Sequence, residues 1–406
     1  MSKHILERLA ETNPDCEIWW DSSPLVYEAW AEHVLSTAPS DKRDQWTTQL
    51  KRLFHGDTIS DSGEMGFRGV TTNPPLSLQA IQADPDFWVD EIRRVIDENP
   101  RDGVEQVYWK VYLETVRRGA EMIRPVFEMS DGRFGYLSGQ VDPRFVTDLE
   151  RMCADADDLR SIGPNVMVKV PGSAEGYQLI EELTAKGVST NNTTSFTVPQ
   201  YKACMDAVSR GLEKARSDGI DLSRWRSVIT HMSARLGNIG DLLWQAEERG
   251  IAITPGEITL GELAVMKRAY KFGQDIGHPS KMLMCSMRVS HDPIEDTASC
   301  WHIEKLAGGN FVYTCPPKFI ATLMEHEDKF APFDAGAVDE DISQESLNKL
   351  LELPYFRQAY DFDGMQPGEF SQFGAFVATA AEFAVATRKT IDFVARVYSD
   401  AKRRAA

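Results

Sequence analysis

The sequence lacks the features that usually announce a cofactor, a metal ion or a membrane. It has no glycine-rich dinucleotide or phosphate loop, so no organic cofactor is expected. The eight histidines show no HxxxH, HxH or HExxH spacing, and no metal site is expected. No apolar run reaches the length that spans a membrane. Cysteines never pair as CxxC. The six are scattered, and Cys16, Cys285 and Cys315 fall in or beside expected strands, the usage of buried free thiols in a reducing compartment. The first ten residues are charged and helical in period, without the apolar core of a secretion signal, so a cytoplasmic location is expected. Positive charge is in deficit. A net charge of -18 excludes binding to nucleic acid, or to anionic lipid, through a broad basic surface, but leaves room for a local basic pocket.

What is present is an ordinary globular composition, 42% hydrophobic and 26% charged over 406 residues, enough for a barrel with extensions or for two domains. The organising stretch is Asn165-Val-Met-Val-Lys-Val-Pro171, followed by Gly172-Ser-Ala-Glu-Gly176, a strand that turns into a helix. Val166, Val168 and Val170 share one face, which calls for burial under a helix, so Lys169 points to the other side. In a closed parallel barrel that side is the interior near the strand's C-terminal end, where desolvation favours a neutral amine able to attack a carbonyl. The plainer reading is an edge-strand lysine with a solvated head.

Seven further strands are expected: Glu17–Pro24 with Asp21, Gly66–Pro75 with Asn73, Gly135–Pro143 with Gln140, Gly187–Phe196 with Asn191 and Thr193, Arg226–Arg235 with Thr230, Lys281–Arg288 with Ser286, and Asn310–Pro316. Helical stretches separate most of them, and Gly56–Gly63 is expected to be a loop. Eight strands with crossover-length connections predict a (β/α)8 barrel, an α/β TIM barrel with an N-terminal helix and a C-terminal helical extension. The expected boundary falls near residue 330: residues 1–330 form the barrel, and residues 331–406 form a linker and a helical extension packing on it. That extension ends in a long amphipathic helix from Phe373 to Ala401, either a packing element or a lid over the barrel mouth.

The set Asp21, Thr71-Thr-Asn73-Pro74, Gln140-Val-Asp142-Pro-Arg144, Lys169-Val-Pro171 with Glu175-Gly176, Asn191-Asn-Thr193 and Ser286-Met-Arg288 resembles the transaldolase family over about residues 17–320. The resemblance implies a class I mechanism without a cofactor. Lys169 forms a Schiff base with a ketose phosphate, and the three-carbon dihydroxyacetone unit passes to an aldehyde, as in the pentose phosphate pathway. It implies that Asp21 and Asn73 hold substrate hydroxyls and assist proton transfer, and that Asn191 and Thr193 position a water or the carbinolamine. Thr230, Arg235, Ser286 and Arg288 take the phosphate positions. The expected partner is a sugar phosphate, with no nucleic acid or membrane, and a homodimer is the expected assembly.

Two positions depart from the family. Gln140 stands where transaldolases carry a glutamate, and an amide can orient a water but cannot take a proton at neutral pH. The fructose-6-phosphate aldolase branch shares the glutamine but uses a tyrosine where this chain has Met232. Asp21, Asp142 and His231 are the candidates for the missing acid/base, with His231 expected to face out of the barrel. The alternatives to a transferase are an aldolase-type lyase in a specialised pathway, favoured by Gln140, and a non-catalytic sugar-phosphate-binding barrel, disfavoured by a desolvated Lys169.

Overall fold

A computed structural model describes residues 3–54, 66–292 and 294–405. The loop expected over Gly56–Gly63 lies outside the described residues.

Eight parallel strands close into a barrel: β1 (Glu17–Asp21), β2 (Gly69–Thr71), β3 (Tyr136–Gln140), β4 (Val166–Pro171), β5 (Thr190–Thr193), β6 (Ser227–Met232), β7 (Lys281–Cys285) and β8 (Phe311–Cys315). Neighbours in sequence are neighbours in the sheet, and β8 pairs with β1 to close it. This is the expected (β/α)8 architecture. The strands are buried almost throughout because helices cover the outside and side chains fill the inside. Trp19 takes so much interior volume that a Cβ at Gly69 would stand 2.4 Å from its ring, so glycine is required there.

Local sequence sets where each strand stops. Pro74 and Pro75 end the extended run after β2 and start the helix Pro74–Ala83, whose first turn has no need of their missing donors; the Asn73 side chain caps it by accepting from Leu76 N. Thr197 and Gln200 form a reciprocal cap that opens the helix Val198–Ser217 after β5. Two non-glycine residues at the mouth take left-handed backbone, Thr194 at φ 51° and Ser286 at φ 60°, directly after β5 and β7. After β7 a short antiparallel ribbon, Ser290–Asp292 with Thr297–Ser299, was not apparent in the sequence pattern.

At the bottom of the barrel, the buried Glu17 carboxylate accepts from Arg226 at 2.6 Å, Lys281 at 2.7 Å and Trp19 Nε1 at 3.0 Å. Burial opposes ionisation of Glu17, but the two cations overcome it and hold its pKa down at about 2. This ties β1, β6 and β7 together at the end opposite the mouth.

The linker is anchored by Lys267, whose ammonium donates to the carbonyls of Ala337, Val338 and Glu340. The last helix, Gly374–Ala405, packs along the helices Pro74–Ala83, Pro85–Glu98 and Val104–Met129. Tyr398 Oη and Lys402 Nζ fix its far end to the carbonyls of Asp102 and Pro100. All six cysteines are free, and five are buried. Among the described residues no helix is long and apolar enough to cross a membrane.

Candidate active site

A cavity of about 220 Å³ opens at the C-terminal end of the barrel strands. Its lining includes Asp21 of β1, Asn73 after β2, Lys169 of β4, Thr193 of β5, Thr230 of β6 and Ser286 after β7. Arg235, in the first turn after β6, completes the polar wall. Residues from most of the strands thus meet at one point.

Lys169 is 5% exposed and its Nζ donates to the Thr72 carbonyl at 3.0 Å. Burial lowers its pKa; the Asp21 carboxylate opposes that shift, and Arg235 adds to it. For Asp21 the order is mirrored: burial raises the carboxyl, and Lys169 with the Thr71 hydroxyl pull it back. Thr71 Oγ1 donates to Asp21 Oδ1 at 2.6 Å and also meets Thr314 Oγ1 at 2.5 Å, so a hydroxyl pair from β2 and β8 braces the carboxylate. In the sequence Thr71 figured only within the Thr71–Pro74 motif, and Thr314 was not singled out, although both are inward-facing residues at strand C-terminal ends. Cys285 also lines the cavity, but burial pushes its thiol up to about 12, which keeps it protonated and a poor nucleophile.

Gln140 and Asn191 flank Lys169 in register, on β3 and β5, without lining the cavity. A Cβ at Gly139 would meet Leu159 and Val116 of the outer helices, so Ser138 and Gln140 point inward. Asn191 is committed: its amide donates to Ser138 Oγ at 2.9 Å and its oxygen accepts from Thr230 Oγ1 at 2.9 Å. Gln140 Oε1 and Thr193 Oγ1, by contrast, are buried with no hydrogen-bond partner among the described residues. Met232 lines the cavity and brings no ionisable group.

Of the three acid/base candidates only Asp21 reaches the cavity. Asp142 is bound by Arg144 at 2.6 Å and caps the Arg144 backbone. His231 faces the helices, as alternation predicted, with Nδ1 at 2.5 Å from Tyr201 Oη and Nε2 at 3.0 Å from the Glu262 carbonyl; burial lowers it to about 3.

The four residues expected at the phosphate divide three to one. Thr230, Arg235 and Ser286 line the cavity, whereas Arg288 does not; its guanidinium donates to buried Glu262 at 2.7 Å and to Thr259 Oγ1 at 3.2 Å. The strand was expected to run to Arg288, but β7 ends at Cys285 and the left-handed turn at Ser286 breaks the alternation. Glu382 and Phe383 of the last helix also line the cavity. Among the described residues no group of three or more His, Cys, Asp or Glu is placed to hold a metal ion.

The family model for transaldolase/fructose-6-phosphate aldolase matches residues 57–365 of this chain. The chain belongs to that family. It is 30% identical over 318 residues to the transaldolase of Thiobacillus denitrificans, covering 74% of this chain and 86% of that protein. To the transaldolase of Mycolicibacterium smegmatis it is 28% identical over 348 residues, 80% of this chain and 91% of that protein. The transaldolase of Saccharopolyspora erythraea is 29% identical over 297 residues, 70% of this chain and 79% of that protein. The family match continues to residue 365, through a linker in which the sequence showed no resemblance, and it leaves out both Asp21 and Glu382.

Proposed function

We propose that this protein is a transaldolase-type transferase that moves a three-carbon dihydroxyacetone unit between sugar phosphates through an imine on Lys169. The observation that carries the reading is the buried Lys169 amine sharing one cavity with Asp21 at the C-terminal mouth of a family barrel. Lys169 Nζ attacks the ketose carbonyl, and loss of water from the carbinolamine gives the imine. Asp21 takes the proton from the hydroxyl whose carbon–carbon bond breaks, which releases an aldehyde and leaves an enamine on Lys169. The enamine then attacks the acceptor aldehyde, Asp21 returns the proton, and water frees the new ketose. Asn73 holds a substrate hydroxyl beside it. The unpartnered oxygens of Gln140 and Thr193 support a place for the carbinolamine or the attacking water, with Asn191 fixing Thr230 and Ser138 around them. Arg235, Thr230 and Ser286 form the phosphate side of the cavity, and Arg288 joins them only on leaving Glu262.

A second reading, an aldolase-type lyase on a phosphorylated sugar, draws on the neutral Gln140 beside Lys169. The two separate in one experiment. The protein is incubated with fructose 6-phosphate or sedoheptulose 7-phosphate, with and without acceptor aldehydes, then reduced with borohydride and mapped by mass. An adduct on the Lys169 peptide, with new ketoses formed only when an acceptor is present, is expected. Free dihydroxyacetone without an acceptor supports the lyase, and an adduct elsewhere, or none, overturns the imine mechanism.

A further inference from the structure

Arg235 is already engaged. Its Nη1 donates to Glu382 Oε2 at 2.6 Å and its Nη2 to Glu382 Oε1 at 3.1 Å, a two-point pair, and the guanidinium lies 5.6 Å from the Phe383 ring centroid. Glu382 and Phe383 come from the helix Gly374–Ala405, beyond the residues that the family model matches. Among the described residues, the ionisable groups lining the cavity are Asp21, Lys169, Arg235 and Glu382, two acids and two bases. A phosphate therefore meets no surplus positive charge there, and it takes Arg235 only by exchanging one anion for another.

We propose that Glu382 is a specificity-determining residue: an internal carboxylate that a substrate phosphate must displace, which reduces the advantage of phosphorylated over unphosphorylated substrates. The proposal rests on the reading of Arg235 as a phosphate ligand. Displacement is sterically open, because the Glu382 side chain is 54% exposed against 22% for Arg235, and the glutamate can swing into water. The same exposure limits the effect. An ion pair this wet is worth up to about 5-fold in an equilibrium constant. Salt weakens it, so the effect is largest at low ionic strength.

The test measures, on the full chain at low salt, the dissociation constant of inorganic phosphate by calorimetry and the KM for fructose 6-phosphate. Glu382→Gln keeps the volume and removes the charge at a half-exposed helix position. Both constants are expected to fall by up to about 5-fold. Unchanged or raised constants overturn the proposal. Arg235→Gln is the control: if it leaves both constants unchanged, the phosphate reading of Arg235 falls and the inference with it. If it weakens both while Glu382→Gln does nothing, only the role of Glu382 is lost.

Discussion

Replacing Gln140 with glutamate tests the departure that most distinguishes this chain from the transaldolases it resembles. The change keeps the volume and puts an ionisable group beside Lys169, its partner in register on the next strand. Strands lie about 4.8 Å apart, so the two charged ends sit at about 6 Å. At that separation and an effective dielectric of about 20, the attraction is about 3 kcal/mol, or about two pKa units on Lys169. Imine formation at neutral pH should slow by up to about 100-fold, because the neutral amine becomes that much scarcer. The water-dependent steps gain a proton carrier, worth about 10²–10⁴-fold. We expect imine formation, followed by single-turnover trapping, to shift its pH midpoint upward by about two units. Steady-state three-carbon transfer at pH 8 should rise. No shift of the midpoint would refute the placement of residue 140 against Lys169. A shift accompanied by loss of transfer would show that the neutral amide belongs to a different mechanism, and the lyase reading would take precedence.

Three other variants follow from the charges. Charge-assisted bonds to phosphate are worth about 1.5–3 kcal/mol, so Arg235→Ala should raise the KM for fructose 6-phosphate by about tenfold or more; Arg288→Ala should raise it less, since Arg288 is held by Glu262, and the reverse order would mean that substrate draws Arg288 into the cavity. Glu17→Gln leaves Arg226 and Lys281 without their shared carboxylate and should cost about 3 kcal/mol at pH 7 by urea denaturation. The Glu17 pKa falls from 4.5 to about 2 on folding, so its contribution is complete above about pH 4.5 and is lost as pH falls through about 2. The gap between wild type and variant should close over that window, and a gap independent of pH would refute the assignment.

The barrel was legible because half of its strands carry their own stop: two prolines after β2, Asp142-Pro143 after β3, Pro171 on β4 and Pro316 after β8. Asp21, Lys169, Thr193 and Thr230 reached the cavity because alternation holds as long as the strand does. It failed where the strand stopped early. Arg288 lies three residues past the end of β7, beyond a left-handed serine, and no period extends through such a turn. Glu382 was illegible for another reason. Its contact with Arg235 spans 147 residues and depends on how a separate helix docks, which helical periodicity within the chain does not encode. The last helix was expected as a packing element or a lid, and it packs along three outer helices while lending two side chains to the mouth.

Those two side chains matter because of where the phosphate goes in three-carbon transfer. In the proposed mechanism the dihydroxyacetone fragment stays on Lys169 without a phosphate when the ketose breaks, and the phosphate leaves with the aldehyde. Any phosphate ligand must therefore bind and let go twice in each cycle, once with the departing aldehyde and once with the finished ketose. Binding that is equally tight in ground and transition states does not lower the chemical barrier, and it slows release. An arginine with its own internal carboxylate suits that demand: as the phosphate leaves, Glu382 replaces it, and the guanidinium is never left uncompensated. The proposed covalent bond to Lys169, buried and out of reach of that exchange, would retain the fragment between the two halves of the reaction.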